Sequence, residues 1–189
     1  MGVFEDTITI SARHRVPAGG AETFAFLAAP ATHRRLQVRG IALLSLDGDD
    51  LLSGGAAVLR GPFGLRRTVQ TRIALHQPPT RLAGSALADS GTTAHVSWTL
   101  HEQSGGGTLV ELTAVLGPVA RGDRVLLAAG GRRWIRRLFA ATLRRLTAEL
   151  EHAPRETVDR VLSLERERRD RRHRGRDSLR LGSTVLARR

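Results

Sequence analysis

The chain contains no cysteine, lysine, asparagine or tyrosine. Without cysteine there is no disulfide framework, thiolate metal site, iron–sulfur cluster or thiol nucleophile. Without lysine there is no Schiff-base chemistry and no P-loop lysine. Missing tyrosine removes a common proton donor. Aromatic residues make up only 4% of the chain. Long apolar runs are absent too: no stretch reaches the roughly 18 residues that a membrane span requires. The segment Met1-Gly2-Val3-Phe4-Glu5-Asp6 is acidic and lacks the apolar core of a secretory signal. Asp6 also stands where a myristoylation site wants Ser or Thr. The expected location is the cytoplasm.

What remains is a chain of 189 residues, 41% hydrophobic and 25% charged, the composition of a soluble globular domain. All 30 basic residues are arginine, and the net charge is +12. Lysine, asparagine and tyrosine share AT-rich codons, so a GC-rich genome accounts for part of the arginine excess. The charge is unevenly spread. Residues 1–117 hold ten Arg and nine acids; residues 118–152 hold eight Arg and three acids; residues 153–189 hold twelve Arg and six acids. Basic character therefore belongs to the C-terminal third.

Hydrophobic periodicity sets the organisation. Residues 7–16 alternate, with Ile8, Ile10, Ala12, His14 and Val16 on one face, which predicts a half-buried strand. Pro17 and Gly19-Gly20 end it, residues 21–28 read as a short helix, and residues 31–36 as a further helical turn or two. Six strand patterns follow: 40–47, 55–60, 65–76, 81–88, 92–102 and 108–116, joined by short turns in the manner of an antiparallel meander. Gly117-Pro118 breaks the sheet. Over 121–151, Ile135, Leu138, Phe139, Thr142, Leu146 and Leu150 recur at helical spacing, with Arg133, Arg136, Arg137 and Arg144 opposite. Gly130-Gly131 interrupts that helix. Beyond Pro154 Arg and Glu dominate, predicting a folded domain over 1–152 and an Arg-rich helical extension and disordered tail over 153–189.

This order of pieces resembles the SRPBCC superfamily, the START or Bet v 1-like helix-grip fold, and within it the polyketide cyclase/dehydrase-like branch. The segment Ile8–Pro17, then Glu22-Thr23-Phe24-Ala25-Phe26-Leu27 and Pro30-Ala31-Thr32-His33-Arg34-Arg35-Leu36, is similar to that family's strand, helix and "DPxxHxxW" turn. Ala29 stands for the Asp and Leu36 for the Trp. Pro78-Pro79-Thr80-Arg81-Leu82-Ala83 resembles its "PPxRLA" step, and Leu138–Leu146 its closing helix. The resemblance spans about residues 5–151 and implies an α+β helix-grip fold. In it a curved antiparallel sheet of about seven strands wraps a long C-terminal helix, with two short helices after the first strand. It also implies an enclosed site for a hydrophobic small molecule, lipid or polyketide-like, and admits cyclase or aromatase activity on a poly-β-ketone. No shared catalytic set comes with the superfamily, so activity must be argued from the site.

Sequence motifs for catalysis are absent: there is no GxGxxG, GxSxG or HExxH. No cofactor or metal is expected; Asp47-Gly48-Asp49-Asp50 reads as a hairpin turn. In the strand 65–76 the inward parity is Leu65, Arg67, Val69, Thr71, Ile73 and Leu75. Arg67 is the candidate to hold a carboxylate, carbonyl or enolate, and His14 the candidate acid–base. Trp98 shares a face with Ala94, Val96 and Leu100, and the small size of Ala94 and Val96 leaves room beside the indole. The predicted ligand site is therefore Arg67, Val69, Thr71, Trp98, Leu112, Ile135 and Phe139. His95 and His101 fall on the opposite, solvent parity. The Arg pairs of the C-terminal helix suit an anionic partner such as nucleic acid, a membrane surface or an acidic protein. Residues 155–189 lack stacking aromatics, and their interleaved acids fit intrahelical ion pairs, so a solvated extension is the favoured reading over a basic adaptor.

Overall fold

The computed structural model describes residues 7–46, 54–61 and 64–152. The acidic turn at 47–50 and the Arg-rich segment from 153 onward lie outside the described residues.

Each alternating segment forms a strand. They are β1 (Ile8–Val16), β2 (Ile41–Leu46), β3 (Gly54–Arg60), β4 (Arg66–Gln77), β5 (Arg81–Ala88), β6 (Thr93–Glu102) and β7 (Thr108–Leu116). They build one antiparallel sheet in the order β1-β7-β6-β5-β4-β3-β2. The meander runs without crossovers and β1 closes onto the last strand. Two short helices follow β1: α1 (Gly20–Ala28) and α2 (Pro30–His33). The latter starts at Pro30 because proline's fixed φ suits a first helical turn. Gly40, expected to open β2, has φ 114° and instead turns the chain into it.

The long C-terminal helical pattern is two helices. α3 (Arg121–Leu126) and α4 (Arg132–His152) are separated by a π-type turn, where Gly130 takes φ 111° and Ala129 ψ 17°. The Gly130 break seen in the sequence is thus a kink. α4 buries Leu138, Thr142, Leu143, Leu146 and Leu150 and leaves Arg132, Arg133, Arg136, Arg137 and Arg144 exposed. It packs chiefly on β1, with lighter contact to β7. One core cluster joins Val16, Phe24, Leu27, Val110, Leu143 and Leu146; another joins Ile8, Ile10, Leu116, Val119 and Leu127. This is the α+β helix-grip arrangement, a curled seven-stranded sheet holding a long helix.

One register shift changes which side chains face the helix. In β4 Ile73 pairs with Gly84 and Leu75 with Ala83, so Ala74 bulges out of the ladder. Past the bulge the faces exchange. His76 pairs with Leu82, a core residue, while Leu75 turns to the other face with Ala83. The expected inward position of Leu75 is therefore corrected to His76, because one inserted residue reverses the parity of everything after it. Gly84 accommodates the bulge: a Cβ there would sit 2.2 Å from the Arg72 carbonyl oxygen.

Candidate functional site

Register builds the face that looks toward α4. Across the sheet, Ala12, Leu112, Trp98, Leu82 and His76 form one inner row, and Ile10, Ala114, Val96, Gly84 and Ile73 the next. A third row holds Ile8, Leu116, Ala94, Ala86 and Thr71, and beyond it lie Ala88 and Val69. Burial grades along these rows. Inner residues of β7 are all buried, whereas Val69, Ile73, Ala86, Ala94, Val96 and Trp98 stay half-buried. On the helix, Ile135 and Phe139 are half-buried as well. The outer half of the inner face is thus an apolar trough beside the helix, floored by Gly84, Ala86 and Ala94. Of the predicted lining, Trp98 and Phe139 pack on the core cluster that contains Leu112, and Ile135 and Phe139 pack on the second cluster. Val69 lies further out in the trough. Thr71 is exposed, and its hydroxyl donates to the Gly55 carbonyl at 3.3 Å.

Arg67 is half-buried on this face, and Arg66 is exposed. Its guanidinium meets the Asp123 carboxylate of α3 at 3.0 Å and lies 3.8 Å from Asp89. Ser90 and Thr92, in the β5–β6 turn, also donate to Asp123. Burial pushes the Asp123 carboxyl upward, but the hydrogen bonds from Ser90, Thr92 and Arg67 and the Arg67 charge outweigh it and hold the group below the usual carboxylate range. The Arg67 charge is therefore already matched within the protein. His14 sits half-buried opposite Val110, at the other end of the sheet. Four inner rows lie between it and Arg67, a separation of about 33 Å along the strands at ~3.3 Å per residue. One reacting atom does not touch both.

Two other histidines face inward. His33 donates from Nε2 to the Leu27 carbonyl at 2.7 Å, tying α2 to α1; burial lowers its pKa against the opposing pull of that hydrogen bond, keeping the ring neutral. His76 packs edge-on against Phe24, with centroids 4.9 Å apart, and its buried Nε2 has no hydrogen-bond partner among the described residues. An open recess of about 590 Å³ lies at the Arg67 end of the sheet, between the loop and strand Val38–Ala42, Arg60 and Gly61 at the end of β3, and Trp134 on α4.

The family model for polyketide cyclases/dehydrases and lipid transport matches residues 7–151. The chain belongs to that family. Solved structures repeat the fold at low identity. A Rhodobacter sphaeroides protein superposes with TM-score 0.55 at 23% identity, covering 77% of this chain and 94% of its own. A Mycobacterium smegmatis protein gives 0.58 at 14% identity, covering 79% and 94%. A Thermus thermophilus protein gives 0.59 at 13% identity, covering 76% and 97%. No curated protein matches the chain.

For this cyclase/dehydrase and lipid-transport family member, two features of the site were not read from the sequence. His76 looked outward because strict alternation continues through Leu75; the only trace of the bulge is Gly84, which permits it from the neighbouring strand. The recess at Val38–Ala42 had a local signal, a glycine flanked by Arg39 and Ile41, but its other walls come from β3 and α4. Among the described residues no cluster of three metal-ligating side chains occurs, and no helix is long and apolar enough to cross a membrane.

Proposed function

We propose that this protein is a cytoplasmic carrier or receptor for a hydrophobic small molecule, lipid or polyketide-like, held by the domain over residues 1–152. The observation that carries the reading is the half-buried apolar stripe of Val69, Trp98, Ile135 and Phe139 over a floor of glycine and alanine. A well-filled core would bury these side chains; here they are left for another apolar body to cover. The family description, which includes lipid transport, supports it. A cyclase reading finds less support, because Arg67 is bound by Asp123 and His14 lies at the far end. Within such a reading, the unpartnered Nε2 of His76 is the better-placed group to meet a ligand carbonyl or hydroxyl.

Trp98 provides the test. In a Trp134→Phe background, adding N-phenyl-naphthylamine should shift the emission of Trp98. Trp98→Ala should weaken that probe about tenfold or more, since truncated aromatic anchors cost 2 kcal/mol or so. It should also lower stability by about 2–4 kcal/mol, the ring being only partly buried. Unchanged Trp98 emission at saturating probe would sink the assignment. Native mass spectrometry of freshly purified protein should show a co-purifying lipophilic species.

A further inference from the structure

Helix α3 turns a face to solvent that is both apolar and basic. Among the described residues Val125 is the most exposed large apolar side chain, at 69%. Arg121, Arg124, Val125 and Ala128 recur at helical spacing, and all four are exposed. The opposite face carries Asp123, which bonds Arg67, Ser90 and Thr92, and Leu127, which packs with Ile8 and Ile10. The helix is thus fixed to the sheet by its inner side, and none of its six residues is fully buried. Ala129 and Gly130, in the π-type turn, are exposed as well. Val125, Ala128, Ala129 and Gly130 therefore form an apolar strip standing in solvent.

Arginine borders that strip on both sides. Arg121 and Arg124 precede most of it, and Arg132, Arg133, Arg136 and Arg137 follow on exposed positions of α4. None of the six has an ion pair among the described residues. Asp123 is the only acid between Glu111 and Glu149, and its charge is taken by Arg67. Codon bias raises arginine along the whole chain, yet residues 1–117 balance ten Arg with nine acids. It does not account for six arginines in one short segment without a counter-charge. Such self-repulsion destabilises a compact state unless an anion meets it.

An exposed apolar strip between clusters of arginine has the chemistry of an interfacial segment. The apolar side chains enter the boundary between headgroups and acyl chains, and the arginines meet acidic lipid headgroups. Nucleic acid would engage the arginines and leave Val125 unused, and none of these exposed residues is an aromatic on which a base could stack. We propose that the protein docks on anionic membranes through this surface, with Val125 and Ala128 entering the interface and the flanking arginines holding the headgroups. None of these residues belongs to the trough, so the proposal stands apart from the carrier reading.

Because the chain has no cysteine, a single introduced one can carry a label at a chosen place. Full-length Val125→Cys, labelled with nitrobenzoxadiazole, should brighten and shift blue on vesicles of equal parts phosphatidylglycerol and phosphatidylcholine. It should not respond to phosphatidylcholine alone. The same label on Leu87→Cys, exposed on the other face of the sheet, should respond to neither. The combined variant Arg132→Gln, Arg133→Gln, Arg136→Gln, Arg137→Gln should bind the mixed vesicles about tenfold more weakly or worse. It should keep the wild-type affinity for N-phenyl-naphthylamine, measured without vesicles. Absence of vesicle binding overturns the proposal. So does binding with a silent label at position 125, which would place the attachment elsewhere in the chain, or undiminished binding by the arginine variant. An equal response of the label to duplex DNA or polyglutamate would reassign the surface to a polyanion and overturn membrane docking as well.

Discussion

Gly84→Ala should lower the melting temperature by roughly 10 °C, equivalent to about 3–4 kcal/mol for a domain of this size. The added Cβ would lie 2.2 Å from the Arg72 carbonyl oxygen and 3.0 Å from Ile73 Cα. Both are backbone atoms of β4, so no side chain can move aside to relieve the contact. The bulge at Ala74 has to shift or flatten, and His76, Ile73 and Trp98 sit on the strands that it bends. Gly84→Val should be worse and leave little folded protein. Thermal denaturation followed by circular dichroism checks this; an alanine variant melting within a degree or two of wild type would show that the close approach is not required.

The second large effect is expected at Asp123. Asp123→Ala leaves the partly buried Arg67 without its main partner and strips an acceptor from Ser90 and Thr92. Loss of one member of a buried charged pair costs about 3–5 kcal/mol, and the exposure of Arg67 brings the expected cost down to about 2–3 kcal/mol. The pH dependence has a definite sign. Asp123 has a folded pKa below its unfolded value, so its contribution is fully present above the ordinary aspartate pKa and is lost as pH falls through the folded value. Wild type should therefore lose stability in the acid range below about pH 4, and the variant should lose less there. Urea denaturation at several pH values measures both. Equal pH dependence in the two proteins would place the acid sensitivity elsewhere.

Much of the fold was legible because its elements are local and regular. In β7 every second residue is buried, and in α4 Leu138, Thr142, Leu146 and Leu150 recur on one face, so period alone assigned both. Trp98 could be placed on the inner face because β6 alternates without interruption. The site was less legible because its determinants are non-local. Arg67 was recognisable as an inward charge, but Asp123, which neutralises it, is 56 residues away. His76 changed face through an inserted residue that leaves the hydrophobic alternation intact. The recess draws on three segments that are adjacent only after α4 docks.

The sheet does not close on itself, so β1 and β2 are its two edges. A free edge offers unpaired backbone groups on which a strand from another molecule can add. Here each edge carries a feature that discourages this. β2 is short, and its register slips between Leu43 and Ser45, which interrupts the ladder that an incoming strand would extend. β1 sets Arg13 and Arg15 in solvent along its rim, so a second copy aligned on it would bring like charges together. The helix-grip architecture can therefore keep an open apolar trough for a ligand without its margins seeding fibrillar stacking.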